Sequence, residues 1–151
     1  MSSIRLLVTA EGQTEQKFVR DVLAPHLSLF NVYASARCVL TSKDKKAHRE
    51  YRGGLLNYEK AKQDILTWMK EDANPDCRFT TMFDLYALPK DFPGYMQASR
   101  LDDPYERVRH LEDAFACALW ASSSFSVAFN STMTAFSTKK STRRVPICFP
   151  R

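Results

Sequence analysis

Residues 1–86 alternate between short apolar runs and longer segments with helical spacing, and this alternation constrains the fold most. The runs predict three strands: Ile4 to Thr9, Val32 to Leu40, and Arg78 to Phe83. In the two segments between them, apolar residues recur three and four positions apart, as on one face of a helix. Strands and helices that alternate with short connections predict parallel βαβ units, and hence an α/β domain.

The ends of the predicted helices carry recognisable signals. Thr14 is predicted to cap the first helix, and Pro25 to end or bend it. A further helix is predicted to begin at Asp103, because Asp103-Pro104-Tyr105-Glu106 combines a capping side chain, a proline and a first-turn glutamate. The predicted apolar faces are Phe18, Val19, Val22 and Leu23; Ala61, Ile65, Trp68 and Met69; and Val108, Leu111, Phe115 and Leu119.

Composition narrows the class of protein. A chain of 151 residues suits one domain that buries roughly two thirds of its unfolded surface. No stretch reaches the ~18 apolar residues of a membrane span, so we expect no membrane segment. Its cysteines are widely spaced, without a metal-binding pattern, and this is typical of reduced thiols in a cytoplasmic protein.

The net charge of +5 comes from the last thirty residues of the chain. Residues 122–151 contain five basic residues and no acid, so positions 1–121 are neutral overall. In residues 122–142, eleven of twenty-one are Ser or Thr, and regular periodicity stops there. We therefore predict an α/β domain over residues 1–121 and a basic, Ser/Thr-rich tail over residues 122–151.

Two acids follow predicted strands. Glu11 comes after the first and Asp84 after the third, and chemistry in parallel sheets gathers at such carboxyl ends. If the two strands are neighbours, the carboxylates converge and suit Mg²⁺ or Mn²⁺, which prefer oxygen ligands. Such an ion activates water and neutralises charge in phosphoryl transfer. Asp91, on the following loop, and Glu15, one helical turn past Glu11, are predicted as further ligands.

Simpler interpretations of these acids stay open. An acid at a strand end is often a solvated loop residue, Glu15 also suits the first turn of a helix, and Asp91 also suits a turn. Gly12 is not part of a phosphate-binding loop, because no GxGxxG or GK[ST] pattern is present.

A basic loop is predicted after the second strand, at the same edge as the acids. Arg52 is the first candidate for binding phosphate, and the backbone N–H groups of Gly53 and Gly54 can approach a ligand closely. Tyr51 is a candidate for stacking on a base. A solvated charged loop is the alternative. Further phosphate-binding candidates are Lys46, Arg49 and Lys90.

Three longer segments carry a family resemblance: EGQTEQKFVRDVLAPHL, YRGGLLNYEK and TTMFDLYALPKDFPGY. They resemble the DUF4276 group of bacterial and archaeal proteins, in order, from about Ile4 to about Leu119. That family is defined by sequence rather than by an established activity.

The order of acids is also similar to the Toprim fold of topoisomerases, primases and OLD-type nucleases. In that fold a glutamate follows the first strand and an Asp-x-Asp pair follows a later one, and together they bind Mg²⁺. Glu11 and Asp84 match, whereas Tyr86 stands in place of the second aspartate. The resemblance implies a Toprim-like parallel sheet flanked by helices, and a nuclease in anti-phage defence with an ATPase partner of the AAA or ABC type.

The tail departs from the family pattern. Family members continue past the Asp103 helix with further strands and a segment resembling QLHEFEALLF, which is not found here. We therefore expect a frameshift or truncation near residue 120, and a fold incomplete at its C-terminus. Two alternatives to the nuclease are a non-catalytic module that binds nucleic acid or a partner ATPase, and an inactive truncated product.

Overall fold

The structure, a computed structural model, describes residues 3–44, 46–72, 74–122 and 129–134. The strands are β1 (Ile4–Ala10), β2 (Val32–Cys38), β3 (Leu40–Asp44), β4 (Arg49–Arg52), β5 (Cys77–Asp84) and β6 (Phe129–Thr134). The helices are α1 (Gln13–Phe18), a π-helical segment (Val19–Leu23), α2 (Ala24–Ser28), α3 (Tyr58–Glu71), α4 (Tyr95–Ala98) and α5 (Pro104–Ser122). None of the helices in these ranges has both the length and the apolar character needed to cross a membrane.

Four strands form one parallel sheet in the order β2-β1-β5-β6. β1 lies between β2 and β5, and its last residue, Ala10, is level with Cys38 on one side and Met82 on the other. The predicted α/β fold with a parallel sheet flanked by helices is therefore confirmed. The more specific likeness to the Toprim fold stays a prediction.

The larger core lies where α3 and α5 pack with the sheet. Phe83 and Phe115 are completely buried there, and Phe92 stacks on Phe115 with ring centroids 5.5 Å apart. A smaller cluster forms around Val8, Val19 and Met82. The predicted apolar faces of α3 and α5 are buried or partly buried, as periodicity indicated; in the first helix, Val22 is instead 52% exposed.

The first helix begins earlier than predicted, and of the two alternatives for Pro25 the structure excludes an end. It begins at Gln13, so its cap is Gly12 and the prediction for Thr14 was wrong. The side chain of Glu15 accepts the N–H of Gly12 at 3.1 Å, which satisfies a backbone donor at the helix start. The helical path does not end at Pro25. It continues to Ser28 after the π-helical segment, whose wider turn suits a proline that has no N–H to donate.

α5 begins where the signals around Asp103 predict a helix start. Pro104 is its first residue, and the side chain of Asp103 accepts the N–H of Tyr105 at 3.1 Å. Between β5 and α4, residues 85–94 form turns that bury Leu88 and Phe92 in the core.

The predicted tail contains part of the sheet. β6 lies within residues 122–151 and pairs in parallel with β5, from Phe79 opposite Phe129 to Asp84 opposite Thr134. Residues 123–128 and 135–151 lie outside the described residues. The domain boundary at residue 121 and the truncation near residue 120 stay predictions.

At Gly94, the turn before α4 packs closely against α5. The φ of Gly94 is +78°, and a Cβ built there would lie 2.7 Å from the Cβ of Ala114. We expect Gly94→Ala to lower the free energy of unfolding by about 2–4 kcal/mol, from left-handed strain and overpacking together, measured by urea denaturation.

Gly54→Ala is the matched control, because its φ is +80° and a Cβ added there would meet no atom within 4 Å beyond its chain neighbours. It should lose only about 1 kcal/mol, from backbone strain alone. Equal losses in the two variants would contradict the packing argument.

Candidate acidic site at the carboxyl edge of the sheet

Glu11 and Asp84 meet because β1 and β5 are adjacent and parallel. The backbone N–H of Asp84 donates to Oε2 of Glu11 at 2.8 Å, and the N–H of Glu11 donates to the carbonyl of Met82 at 3.0 Å. Both carboxylates are partly buried. The structure thus brings together the two acids that the sequence placed at strand ends.

Each of the two carboxylates uses one oxygen within the protein. Oδ1 of Asp84 accepts the N–H of Tyr86 at 2.9 Å, an Asx turn that holds the aspartate at the strand end. Oε1 of Glu11 and Oδ2 of Asp84 make no hydrogen bond with the described part of the chain. One oxygen from each side chain is therefore open to another ligand.

Burial and nearby negative charge disfavour ionisation of Glu11. Its pKa is raised, chiefly by burial and further by the charges of Asp84 and Glu15, while the hydrogen bond from the Asp84 backbone opposes the rise. The side chain of Glu15 accepts the N–H of Gly12. This arrangement favours a proton or a cation beside Glu11.

The donor set suits a hydrated ion rather than a fully enclosed one. Within the described ranges, no group of three or more His, Cys, Asp or Glu side chains is placed to hold a metal ion. Mg²⁺, however, is commonly bound by one or two carboxylates together with waters and substrate phosphates. Glu11 and Asp84 fit that mode, and their role as Mg²⁺ or Mn²⁺ ligands stays a prediction.

Asp91 has a structural partner elsewhere. Its Oδ2 accepts the N–H of Tyr58 at 2.9 Å, next to the Asn57 side chain that accepts the N–H of Lys60 at 2.9 Å. Asp91 therefore ties the turns after β5 to the start of α3. Its predicted role as a third ligand gains no support from this position.

The segment predicted as a basic loop is an antiparallel ribbon, β3 and β4, so that part of the prediction was wrong. The ribbon does leave the sheet at the edge that carries the acids. The N–H of Gly53 donates to the carbonyl of Val39, and the N–H of Gly54 to the carbonyl of Glu11, both at 2.9 Å. These two N–H groups fix the base of the ribbon, and phosphate binding by them stays a prediction.

Asp64, on α3, is a buried acid that the sequence analysis missed. Its Oδ1 lies 3.2 Å from Arg37 and 3.6 Å from Arg52, and its Oδ2 accepts the N–H of Leu40 at 3.3 Å. The signal was present in the sequence, because Asp64 lies three residues after Ala61 within the buried stripe of the helix.

Arg52, the first phosphate candidate, is engaged in this network. It also pairs with Glu50 at 2.9 Å and donates to the carbonyl of Cys38 at 3.1 Å. The adjacent cleft, of about 370 Å³, is lined by three basic and three acidic side chains and has no clear preference for anions. The other basic candidates, Lys46, Arg49 and Lys90, are exposed.

The raised pKa of Glu11 predicts how stability depends on pH in metal-free buffer. The folded protein binds more protons than the unfolded chain between the ordinary pKa of 4.5 and the higher folded value, so stability falls as pH rises through that window. Glu11→Gln should remove this fall, measured by urea denaturation across the pH range. The exposed Asp113→Asn is the control, and a pH profile unchanged by Glu11→Gln would contradict the assignment.

Comparison with known proteins identifies the family. A sequence model described as "Domain of unknown function (DUF4276)" matches residues 10–133. The match includes both acids and ends within β6, beyond the limit near Leu119 expected from the sequence. Searches of curated proteins and of solved structures found no match. Because the family model covers most of the sequence, the chain belongs to the DUF4276 family.

Proposed function

We propose that this protein is an Mg²⁺- or Mn²⁺-dependent hydrolase that cleaves phosphodiester bonds in nucleic acid. The observation that carries the proposal is the meeting of Glu11 and Asp84, with the Asp84 N–H bound to Oε2 of Glu11 at 2.8 Å. Two carboxylates with one open oxygen each lie where parallel α/β sheets place their chemistry.

Glu11 and Asp84 would hold the cation, which when bound would activate a water and stabilise negative charge on the phosphoryl oxygens. In the alternative role, Glu11 would act as the base that accepts a proton from water. The backbone N–H groups of Asp84 and Tyr86 keep both side chains in fixed orientations.

The resemblance to Toprim proteins supports the same chemistry, with Tyr86 as the departure from their second aspartate. An ATPase partner of the AAA or ABC type, a role in anti-phage defence and a cytoplasmic location are further proposals that rest on that resemblance or on composition alone.

A non-catalytic binding module is the second candidate. It is favoured by the internal use of groups proposed for the substrate: Arg52 pairs with Glu50 and lies beside Asp64, while the N–H groups of Gly53 and Gly54 bind backbone carbonyls. In such a module the acids would serve the structure of the edge rather than a reaction.

A cleavage assay separates the two candidates. With labelled single-stranded and duplex DNA and RNA, the hydrolase predicts cleavage that needs Mg²⁺ or Mn²⁺ and is abolished by EDTA. Glu11→Gln and Asp84→Asn should each reduce the rate by about 100-fold or more while the far-UV circular dichroism spectrum is kept.

Asp113→Asn is the control, since Asp113 is an exposed acid on α5 with no role in the proposed site. It should keep metal-dependent cleavage at close to the original rate per folded molecule. Cleavage that persists in both Glu11→Gln and Asp84→Asn would refute the metal site, and binding without cleavage in any metal would favour the module.

A further inference from the structure

The β3–β4 ribbon has two faces of different character. Successive side chains of a strand point to opposite faces, and β4 follows this rule. All four residues of β4 are exposed. Glu50 and Arg52 line the cleft beside α3, and Arg49 and Tyr51 do not. We use "inner face" for the side of Glu50 and Arg52, and "outer face" for the side of Arg49 and Tyr51.

The inner face anchors the ribbon. Arg52 bonds to Glu50 and to the carbonyl of Cys38, and lies 3.6 Å from the buried Asp64. Lys60, on α3, donates to the carbonyl of Thr41 at 2.8 Å. The charges of the inner face are therefore used within the protein, and they hold the ribbon in place on α3.

The outer face presents an aromatic ring and a cation together. Tyr51 is 47% exposed, and its strand is fixed because its carbonyl accepts the hydroxyl of Thr41 at 2.8 Å. Arg49 makes no ion pair with the described residues. A lone exposed tyrosine needs no explanation, but a tyrosine and an arginine on one face form a stacking surface with a phosphate contact.

This face is close to the acidic site. Gly54 donates its N–H to the carbonyl of Glu11, and Tyr51 lies three residues before Gly54, so the Cα atoms of Tyr51 and Gly54 are at most about 11 Å apart. Asp44 is level with Arg49 in the ribbon, so the tip is not uniformly positive, and attraction by charge alone is weak. Binding at this face therefore depends on stacking.

We propose that the outer face binds single-stranded nucleic acid, with Tyr51 stacked on an unpaired base and Arg49 on a phosphate. The single strand follows from the chemistry, because a base face is open to an aromatic side chain only where the base is unpaired and unstacked. This inference rests on the proposed function, since it names the form of nucleic acid that is delivered to Glu11 and Asp84.

Fluorescence anisotropy in EDTA tests the stacking contact without catalysis. With a labelled oligo-dT strand, Tyr51→Ala should weaken binding by about 5- to 100-fold, the range for the loss of one base–aromatic stack. Tyr51→Phe should bind like the original protein. The control is Tyr33→Ala, because Tyr33 is 56% exposed on β2 and should have no effect.

The salt dependence tests the phosphate contact. Arg49→Ala should make the slope of log K against log salt concentration shallower by about 0.7, the value for one phosphate contact on a single strand. Arg100→Ala is the matched control, because Arg100 is exposed in the turn after α4; its slope should be unchanged. Equal urea midpoints among the variants show that folding is kept.

Two outcomes overturn this inference: Tyr51→Ala binding oligo-dT as tightly as Tyr33→Ala, or duplex of the same length binding as tightly as the single strand. Failure of this inference can be told apart from failure of the proposed function. Tyr51-dependent binding in EDTA without cleavage in Mg²⁺ or Mn²⁺ would retain the inference and reject the hydrolase. Metal-dependent cleavage with binding that does not depend on Tyr51 would retain the hydrolase and reject the inference.

Discussion

The hydrogen bond from the Asp84 backbone to the Glu11 side chain joins the two central strands where they end. It forms because β1 and β5 run in parallel as neighbours, so the residues after Ala10 and Phe83 arrive at one edge. The carbonyl of Glu11 also receives the N–H of Gly54. Glu11 therefore connects β1, β5 and the base of the ribbon, and the site and the proposed binding face both depend on its position.

This junction carries an electrostatic penalty. Glu11 is partly buried, with Asp84 and Glu15 close enough to raise its pKa further. Water or a backbone N–H offsets part of such a penalty, but a bound cation offsets more, because it favours the ionised form directly. Asp64 shows the other solution in the same protein: its carboxylate lies between two arginines. No such basic partner is placed on Glu11 or Asp84 among the described residues.

The sheet and the position of the acids were predictable because they depend on hydrophobic patterning. The run that became β1 is strongly apolar, and β5 carries the buried residues Phe79, Met82 and Phe83. The signals around Asp103 specify a helix start directly. The ribbon was not predictable in this way, since it is held by backbone pairing and by Asp64, a contact between distant parts of the chain. Thr14 was a reasonable cap by residue type, but the Glu15 side chain bound to Gly12 starts the helix earlier.

A crystal structure with Mn²⁺ tests the central claim most directly, because manganese is located by its anomalous scattering. The account predicts one anomalous peak at the carboxyl edge of the sheet, about 2.1–2.2 Å from an oxygen of Glu11 and from an oxygen of Asp84, with waters completing the coordination. A crystal that holds Mn²⁺ only elsewhere, or none at millimolar concentration, would contradict it.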